Sequence, residues 1–332
     1  MAIRVAVDAM GGDHAPELVV PGVLRALEQD EELEIHLVGP EDRLHSLLSG
    51  ASRPVDRLRV VHAPEVIGMA ESPATALKTK PSSSIHRGLE ACRSGEVSAF
   101  FSAGNTGAVM AAALFILGRQ EGVKRPSLIG YFPTLKGHCI LLDAGANVDC
   151  KPEHLLQFAR MGTIYLERAR HISRPSVGLV NIGEEPGKGN EQAKAAYELL
   201  KAAGDVNFIG NIEGRDVLTH AADIVIADGY VGNIMLKFGE SVASVLPQML
   251  AAEMTRLAMP PEQQQIVGRA LKGVKDQFDF QEYGGAPLLG VNGTVIIGHG
   301  GSNELAFENM ALNAAAMVRE QVTESISESL SA

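Results

Sequence analysis

The feature that most constrains the fold of this 332-residue chain is a unit that returns along nearly its whole length. A short run of consecutive apolar residues leads into a turn of Gly, Asp or Asn, and a helical pattern follows. Apolar residues on consecutive positions, without strict alternation, are typical of strands covered on both faces. Strands separated by helices favour right-handed crossovers and a mostly parallel sheet. The sequence therefore predicts an α/β protein.

The strand pattern occurs in ten segments: 4–9, 34–39, 57–63, 97–104, 127–132, 138–146, 176–183, 206–212, 223–229 and 294–300. Two amphipathic stretches joined by "MPP" (259–261) predict a helical hairpin over 240–278, because proline does not continue a helix. Since no low-complexity linker divides the chain, we expect a single catalytic domain over 1–322. The polar, acidic residues 323–332 predict a flexible tail.

Charge and composition exclude several classes of function. The net charge is −11, and aromatic residues make up 5% of the chain, with no Trp, which argues against nucleic-acid binding. Apolar runs are too short to span a bilayer and no secretory leader is evident, so we expect a cytoplasmic protein. The three cysteines lack any C-x-x-C spacing, which argues against a zinc site and suits a reducing compartment.

Six predicted strand ends combine glycine with polar residues: "DAMGGDH", "SAGNTG", "DAGAN", "NIGEEPGKGN", "ADGYVGN" and "GHGGSNE". Ligands of open parallel sheets bind outside the carboxyl ends of the strands. Glycine lets backbone N–H groups approach an oxyanion, and a following helix start adds further donors. The candidate phosphate- and substrate-binding residues are Asp8, Gly11, Gly12, Asp13, His14, Ser102, Gly104, Asn105, Thr106, Asp143, Gly183, Glu184, Gly187, Gly189, Asp228, Gly232, His299 and Gly300.

Several of these residues also have a purely structural interpretation. Asp13 is suited to cap the helix that contains Pro16, which would leave His14 merely exposed, and for His14 the two interpretations weigh equally. Asp8, Asp143 and Asp228 all end strands. Three carboxylates at one edge are suited to bind a cation, but capping and loop-orienting roles are simpler, and we predict no metal.

The stretch "NIGEEPGKGNEQ" (181–192) is the most informative one. It is not a P-loop, because the spacing is one residue short and Gly189 replaces the Ser or Thr that holds Mg²⁺. It is not a dinucleotide fingerprint either, because Gln192 stands where the third glycine belongs. The stretch instead places one ammonium group, that of Lys188, in a glycine loop. Such a group is suited to bind an anion or to stabilise a developing oxyanion. A solvated loop lysine is the ordinary alternative, and the surrounding motifs favour the functional one.

The ordered motifs together resemble the bacterial phosphate acyltransferases of phospholipid synthesis, the PlsX family. The resemblance runs from "DAMGGDHAP" through "SAGNTGA", "DAGAN", the segment 183–190 and "DGYVGNIMLK" to "EYGGAPLLGVNG" and "GHGGSN". It implies transfer of a long-chain acyl group from the thioester of an acyl carrier protein to inorganic phosphate. It also implies a three-layer α/β/α, Rossmann-like fold similar to the phosphotransacetylase and isocitrate-dehydrogenase-like folds, a homodimer and no cofactor. By the same resemblance Lys188 and Asn233 are catalytic, and the role of Lys237 stays open.

The resemblance also implies partners, for which the sequence offers candidate surfaces. An acidic carrier protein needs a basic docking surface, and the hairpin tip, Leu257, Ala258 and Met259, is suited to shallow insertion into a membrane. There the product would meet a membrane glycerol-3-phosphate acyltransferase. Packing of the hairpin against a second subunit is the competing interpretation. The alternative functions are a phosphotransacetylase that uses acyl-CoA, a decarboxylating dehydrogenase, and a non-catalytic scaffold for carrier protein or membrane.

Overall fold

The computed structural model describes residues 2–50, 56–278 and 280–331. Contacts between residues divide them into two compact units. The first unit comprises 2–50, 56–129, 160–175 and 280–331, and the second comprises 130–159 and 176–278. The single domain over 1–322 stays a prediction, and each unit is described by itself below.

Strands and helices alternate along the described chain. The strands are β1 (Ile3–Asp8), β2 (Leu33–Gly39), β3 (Leu58–His62), β4 (Ala99–Ser102), β5 (Ser127–Leu128), β6 (Gly130–Thr134), β7 (Gly137–Leu142), β8 (Ser176–Asn181), β9 (Asn207–Glu213), β10 (Ile224–Ile226), β11 (Ala286–Leu289) and β12 (Thr294–Ile297). The helices are α1 (Val19–Gln29), α2 (Glu41–Leu48), α3 (Pro73–Thr79), α4 (Ser84–Arg93), α5 (Thr106–Ile116), α6 (Pro152–Ala169), α7 (Glu191–Ala202), α8 (Gly214–Val217), α9 (Gly229–Arg256), α10 (Pro261–Gln277), α11 (Glu304–Arg319) and α12 (Val322–Ser331), with a 3-10 helix at Phe280–Tyr283.

The first unit is built on a seven-stranded sheet in the order β3-β2-β1-β4-β12-β11-β5. The strands from β3 to β12 pair in parallel, whereas β11 is antiparallel to both of its neighbours. Helices α1 and α11 pack against each other, and α4 packs on β1, β2 and β4. The central strand β4 buries Phe100 and Phe101 completely. A Cβ on Gly88 of α4 would overlap the Phe100 ring, so this glycine lets helix and strand approach closely.

The second unit is built on a five-stranded sheet in the order β6-β7-β10-β8-β9. Strands β7, β10, β8 and β9 are parallel and β6 is antiparallel to β7. The central strand β10 is buried along its whole length. The prediction of a three-layer α/β fold with mostly parallel pairing is confirmed. The sequence pattern did not predict β11, because "APLL" is short and contains a proline.

The predicted helical hairpin is confirmed as α9 and α10. The turn falls at residues 257–260, and α10 begins at Pro261, in the first-turn position that proline tolerates. Helix α9 is longer than expected, because it begins at Gly229 and continues through Pro247. Among the described residues, no helix is both long enough and apolar enough to cross a membrane.

The chain end differs from the expected flexible tail over 323–332. Residues up to Ser331 form helix α12, and Ala332 lies outside the described residues. The physical reason is an apolar pair one turn apart, Val322 and Ile326, which is buried although most of its neighbours are polar. The side-chain amide of Gln120 also donates a hydrogen bond to the carbonyl oxygen of Thr323, at 2.6 Å.

The core of the first unit can be tested with two phenylalanines of opposite exposure. Phe100 is 0% exposed and Phe115, on α5, is 84% exposed. We expect Phe100→Ala to lower the free energy of unfolding by about 3–5 kcal/mol, because it leaves a cavity in a packed sheet. Phe115→Ala should change it by less than about 0.5 kcal/mol. Urea unfolding followed by circular dichroism measures both, and equal losses would contradict the described core.

Candidate active site

In the first unit, three neighbouring parallel strands end at one edge of the sheet. Val7 of β1 pairs with Phe101 of β4, and Ser102 of β4 pairs with Ile297 of β12. The segments that follow these strands are therefore neighbours, although they lie far apart in the sequence. This edge carries the predicted residues of the first unit: Asp8, Gly11, Gly12, Asp13, His14, Ser102, Gly104, Asn105, Thr106, His299 and Gly300.

A buried carboxylate links the turns after β1 and β4. Asp8 is 2% exposed, and its Oδ2 accepts a hydrogen bond from the Ser102 hydroxyl at 2.6 Å. Its Oδ1 accepts one from the Met10 N–H at 3.0 Å, while the Gly104 N–H donates to Ser102 Oγ at 3.0 Å. Burial raises the pKa of the Asp8 carboxyl, and the hydrogen bonds from Ser102, Ser84 and Met10 act in the opposite direction. Asp8 therefore holds the two turns together.

Gly11 has no room for a side chain. A Cβ there would lie 2.7 Å from Asp8 Oδ2, from the Gly104 nitrogen and from Ser102 Oγ. The next residue, Gly12, has a φ of 120°, in the region that favours glycine. The two glycines therefore let the first turn lie directly on the second, and Gly11 is buried between them.

The polar residues around these turns differ in their hydrogen bonds and in their exposure. Helix α1 begins at Val19, so Asp13 is not its cap, and the Asp13 N–H instead donates to the Gly300 carbonyl at 2.8 Å. Asn105 caps α5, since its side chain accepts from the Ala108 N–H at 3.1 Å. His14, Thr106 and His299 are exposed at the same edge.

In the second unit, β7, β10 and β8 are neighbours, and each ends in a predicted motif. Asp143 follows β7 and is fully buried, and its Oδ2 accepts from the Asn147 backbone N–H at 2.6 Å and the Asn147 amide at 3.0 Å. The Asn147 carbonyl accepts from the Gly229 N–H at 2.8 Å. Asp228 follows β10 and caps α9, accepting from the Val231 N–H at 2.8 Å. Both carboxylates therefore have the loop-orienting and capping roles that the sequence analysis favoured.

Asn233 lies in the first turns of α9 with its side chain exposed. Its preceding residue, Gly232, is buried, and a Cβ there would overlap the Asp143 carbonyl oxygen. A Cβ on Gly145 would lie 3.3 Å from that of Asn233, so the loop after β7 passes close beside this side chain. The glycine before Asn233 thus lets α9 start against the end of β7.

Lys188 follows β8 in the loop 182–190, and its side chain is exposed. The stem of Lys188 folds back over the loop, because a Cβ on Gly183 would lie 3.1 Å from Lys188 Cγ. Asn190 ends the loop by capping α7, accepting from the Ala193 N–H at 2.8 Å. Gly183, Glu184, Gly187, Lys188, Gly189, Asp143, Asp228, Gly232 and Asn233 are thus placed at the carboxyl ends of three adjacent strands of one sheet.

Three asparagines at this edge were not predicted from the sequence. Asn147 links Asp143 to Gly229, while Asn181 and Asn211 donate to carbonyls of the Lys188 loop. Asn181 lies near the end of a predicted strand, and this position could have identified it as a candidate site residue. Asn211 was detectable only from the pairing of β9 with β8.

The other predicted groups lie outside this edge or have ordinary surroundings. The hairpin tip Leu257, Ala258 and Met259 follows α9 at its far end. Burial raises the pKa of Cys139 to about 12, so its thiol is neutral at pH 7, as expected for a small buried hydrophobe. Among the residues that the structure describes, no group of three or more His, Cys, Asp or Glu side chains is arranged to hold a metal ion.

The chain is similar to known proteins over nearly its whole length. A family model described as "Fatty acid synthesis protein" matches residues 3–325. A "Phosphate acyltransferase" of Salinibacter ruber is 57% identical, covering 98% of this chain and 97% of the relative. A "Phosphate acyltransferase" of Chlorobaculum parvum is 47% identical, covering 99% of both chains.

Solved structures share the fold at low sequence identity. A phosphotransacetylase from Streptococcus pyogenes superimposes with a TM-score of 0.64 at 16% identity, covering 96% of this chain and 94% of that one. The EutD phosphotransacetylase from Staphylococcus aureus gives 0.60 at 15% identity, with the same coverage. These likenesses concern the fold. Family membership is shown by the model match and the full-length relatives, and it confirms the resemblance of the ordered motifs: this chain belongs to the bacterial phosphate acyltransferase family, PlsX.

Proposed function

We propose that this protein transfers a long-chain acyl group from the thioester of an acyl carrier protein to inorganic phosphate. The observation that carries the proposal is the 57% identity, over nearly both full lengths, to a protein named phosphate acyltransferase. The products are acyl phosphate, a precursor for phospholipid synthesis, and the free carrier thiol.

The chemistry requires no covalent enzyme intermediate. A phosphate oxygen attacks the thioester carbonyl carbon, a C–O bond forms, and the C–S bond breaks as the tetrahedral oxyanion collapses. The thioester is already activated, so alignment of the reactants and relief of charge repulsion are the main tasks of the protein. The buried, neutral Cys139 thiol agrees with direct attack by phosphate.

In this reaction Lys188 offsets the negative charge of phosphate or of the oxyanion, and Asn233 donates a neutral hydrogen bond to the carbonyl oxygen. The support for these roles is placement, because both side chains are exposed after adjacent parallel strands. In the first unit Gly12 stays a predicted phosphate ligand through its backbone N–H. The N–H groups of Gly11 and Gly104 already donate to the Asp8 carbonyl and to Ser102 Oγ, so these two predicted ligands are less suited to phosphate.

Lys188→Ala and Asn233→Ala should each lower kcat by about a hundredfold or more with the fold intact, because each removes a donor to developing negative charge. The assay mixes acylated carrier protein with phosphate and traps acyl phosphate with hydroxylamine. Lys194→Ala and Gln248→Ala are the matched controls, since both lie in the same unit and both side chains donate a hydrogen bond within their own helix, to Glu191 and to the Ser244 carbonyl. Turnover near that of the unaltered protein in either site variant would reject its assignment.

The same assay separates the proposed reaction from the phosphotransacetylase alternative. We expect acyl-carrier protein to be used far better than acyl-CoA with the same chain. Loss of the product when phosphate is omitted shows that phosphate is the acceptor. A clear preference for acyl-CoA would favour the alternative.

Exposed apolar side chains that follow the same strand ends as Asn233 and Lys188 support a long acyl substrate. We name this group the apolar rim; it consists of Val148, Ile182, Tyr230, Ile234 and Phe238, all of them exposed. Ile182 follows β8 directly, and Ile234 follows Asn233. Large apolar side chains grouped on a surface commonly mark a binding site. An acyl chain whose carbonyl lies at Asn233 would be shielded from water by these side chains.

If the apolar rim binds the acyl chain, altering it should affect long acyl substrates more than short ones. Ile234→Ser with Phe238→Ser should lower kcat/KM about tenfold for a sixteen-carbon acyl chain and less than twofold for a four-carbon chain, because only the long chain buries CH₂ groups there. Leu135→Ser, which alters an exposed leucine between β6 and β7, serves as the control. Equal losses at every chain length would contradict an acyl-binding role.

The carrier protein would dock on basic side chains. Two basic segments of the sequence, "GRQEGVKRP" and "LERARHISR", offer candidates on the first unit: Arg119, Lys124, Arg125, Arg168 and Arg174. Arg170 is less suited, because its guanidinium donates to the Tyr165 hydroxyl, the Tyr283 carbonyl and Asn313. Salt sensitivity of KM for the carrier substrate, with no such effect on KM for phosphate, would support a charged dock.

The hairpin would serve assembly and membrane contact. We propose that the α9 stripe of Val242, Val245, Leu246 and Met249, all exposed, packs against a second copy of the chain. Light scattering tests this, and a mass of one chain would contradict the homodimer. At the tip Leu257 is 57% exposed and Met259 is half-buried, and Arg256, Arg269, Lys272 and Lys275 lie nearby in the sequence. Arg256 pairs with Glu253 and Lys272 with Asp276, which leaves Arg269 and Lys275 as the better candidates for contact with anionic lipid. A membrane glycerol-3-phosphate acyltransferase would take up the product at that surface.

Leu257→Glu with Met259→Glu should release the protein from phosphatidylglycerol vesicles while leaving turnover in solution unchanged, because charged tips resist insertion into the apolar layer. Co-sedimentation measures the bound fraction, and Leu135→Glu, far along the chain from the tip, is the matched control. Unchanged vesicle binding of the tip variant would overturn the lipid contact.

A further inference from the structure

The loop that carries Lys188 is tied at both ends by one side chain. Asn181 is the last residue of β8, and its Oδ1 accepts a hydrogen bond from the Ile182 N–H at 2.8 Å. Its Nδ2 donates to the Lys188 carbonyl oxygen at 3.1 Å. The side chain therefore lies inside the loop and joins its first residue to Lys188 itself.

Gly189 shows how closely this side chain fits. A Cβ on Gly189 would lie 2.5 Å from Asn181 Oδ1, and the residue has a φ of 88°, so any other residue would be both crowded and strained there. The glycine of the "GKGN" motif and Asn181 thus form one unit. Because Gly189 has no side chain, there is room for the Asn181 amide, which in turn holds the Lys188 carbonyl.

A second asparagine ties the middle of the same loop. Asn211 lies on β9, which pairs with β8, and its Nδ2 donates to the Glu185 carbonyl at 3.0 Å. The same carbonyl accepts from the Lys188 N–H at 3.1 Å. Asn211 is 7% exposed, and its Oδ1 is buried without a hydrogen-bond partner among the described residues. A buried, unpaired amide oxygen is unfavourable for folding, so stability alone does not account for an asparagine here.

We propose that Asn181 and Asn211 are positioning residues that hold the backbone of Lys188, and so aim its ammonium group at the reacting anion. This inference rests on the proposed function of Lys188 and adds the two residues through which the fold controls it. A charged group stabilises a transition state most effectively when its position is fixed before the reaction, and small displacements reduce the rate strongly. Because the lysine side chain itself is flexible, the fold limits the position of its ammonium group by fixing the Lys188 backbone.

The first test separates positioning from stability. Asn211→Leu removes the bond to Glu185 together with the buried unpaired oxygen. We expect an unchanged or higher melting temperature, a kcat about tenfold lower, and an unchanged KM for the acylated carrier. A lowered melting temperature with kcat unchanged would show that Asn211 is structural only.

Asn181 is tested with two variants. Asn181→Ala removes both bonds, and Asn181→Asp keeps the acceptor for Ile182 but loses the donor to the Lys188 carbonyl. Both should lower kcat about tenfold, because the bond to Lys188 is the one that matters. The matched control is Asn292→Ala, since Asn292 donates to the Leu117 and Arg119 carbonyls of a turn in the first unit. A full rate in Asn181→Asp would overturn the role of the bond to Lys188.

The decisive experiment combines each asparagine variant with Lys188→Ala. If the asparagines act through Lys188, the double variants should have the kcat of Lys188→Ala alone, within about twofold. Multiplied losses would overturn the inference, because the asparagines would then act independently of the lysine. A fully active Lys188→Ala protein would instead overturn the proposed function of Lys188, so the two failures are distinguishable.

Discussion

Parallel pairing of strands from distant parts of the chain is the constraint on which the rest of this structure depends. In the second unit, β10 pairs in register with β7 on one side and with β8 on the other. Parallel strands end at the same edge, so the segments after Leu142, Asn181 and Ile226 become neighbours. The first unit repeats the arrangement with β1, β4 and β12. Each set of glycine turns is a product of this pairing.

At these edges, charged and polar side chains divide into those that hold the backbone and those that remain exposed. Asp8, Asp143 and Asp228 accept hydrogen bonds from nearby backbone N–H groups and so keep the turns in place. Lys188 and Asn233 are exposed on that framework. In the proposed site this division would favour an anion, because the three aspartates are compensated by local donors while the Lys188 ammonium and the Asn233 amide stay exposed.

Local patterns predicted most elements, because they depend on neighbouring residues. All ten predicted strand segments overlap observed strands, and the turn before Pro261 follows from proline chemistry. Residues 323–331 and β11 were not predicted, because Val322, Ile326 and "APLL" acquire their structure from packing against distant elements. The role of Asn211 was not predicted for the same reason, since its hydrogen-bond partner Glu185 lies 26 positions away in the sequence.

The sequence by itself determined the alternation of strands and helices, the glycine turns at the strand ends and, through its ordered motifs, the family. These are properties of short segments, because hydrophobic periodicity, caps and glycine conformations act over a few residues. Only the tertiary structure decided which turns meet, which carboxylates are buried and which asparagines hold the Lys188 loop. Those outcomes depend on strand order and on burial, and both are set by contacts between residues far apart in the chain.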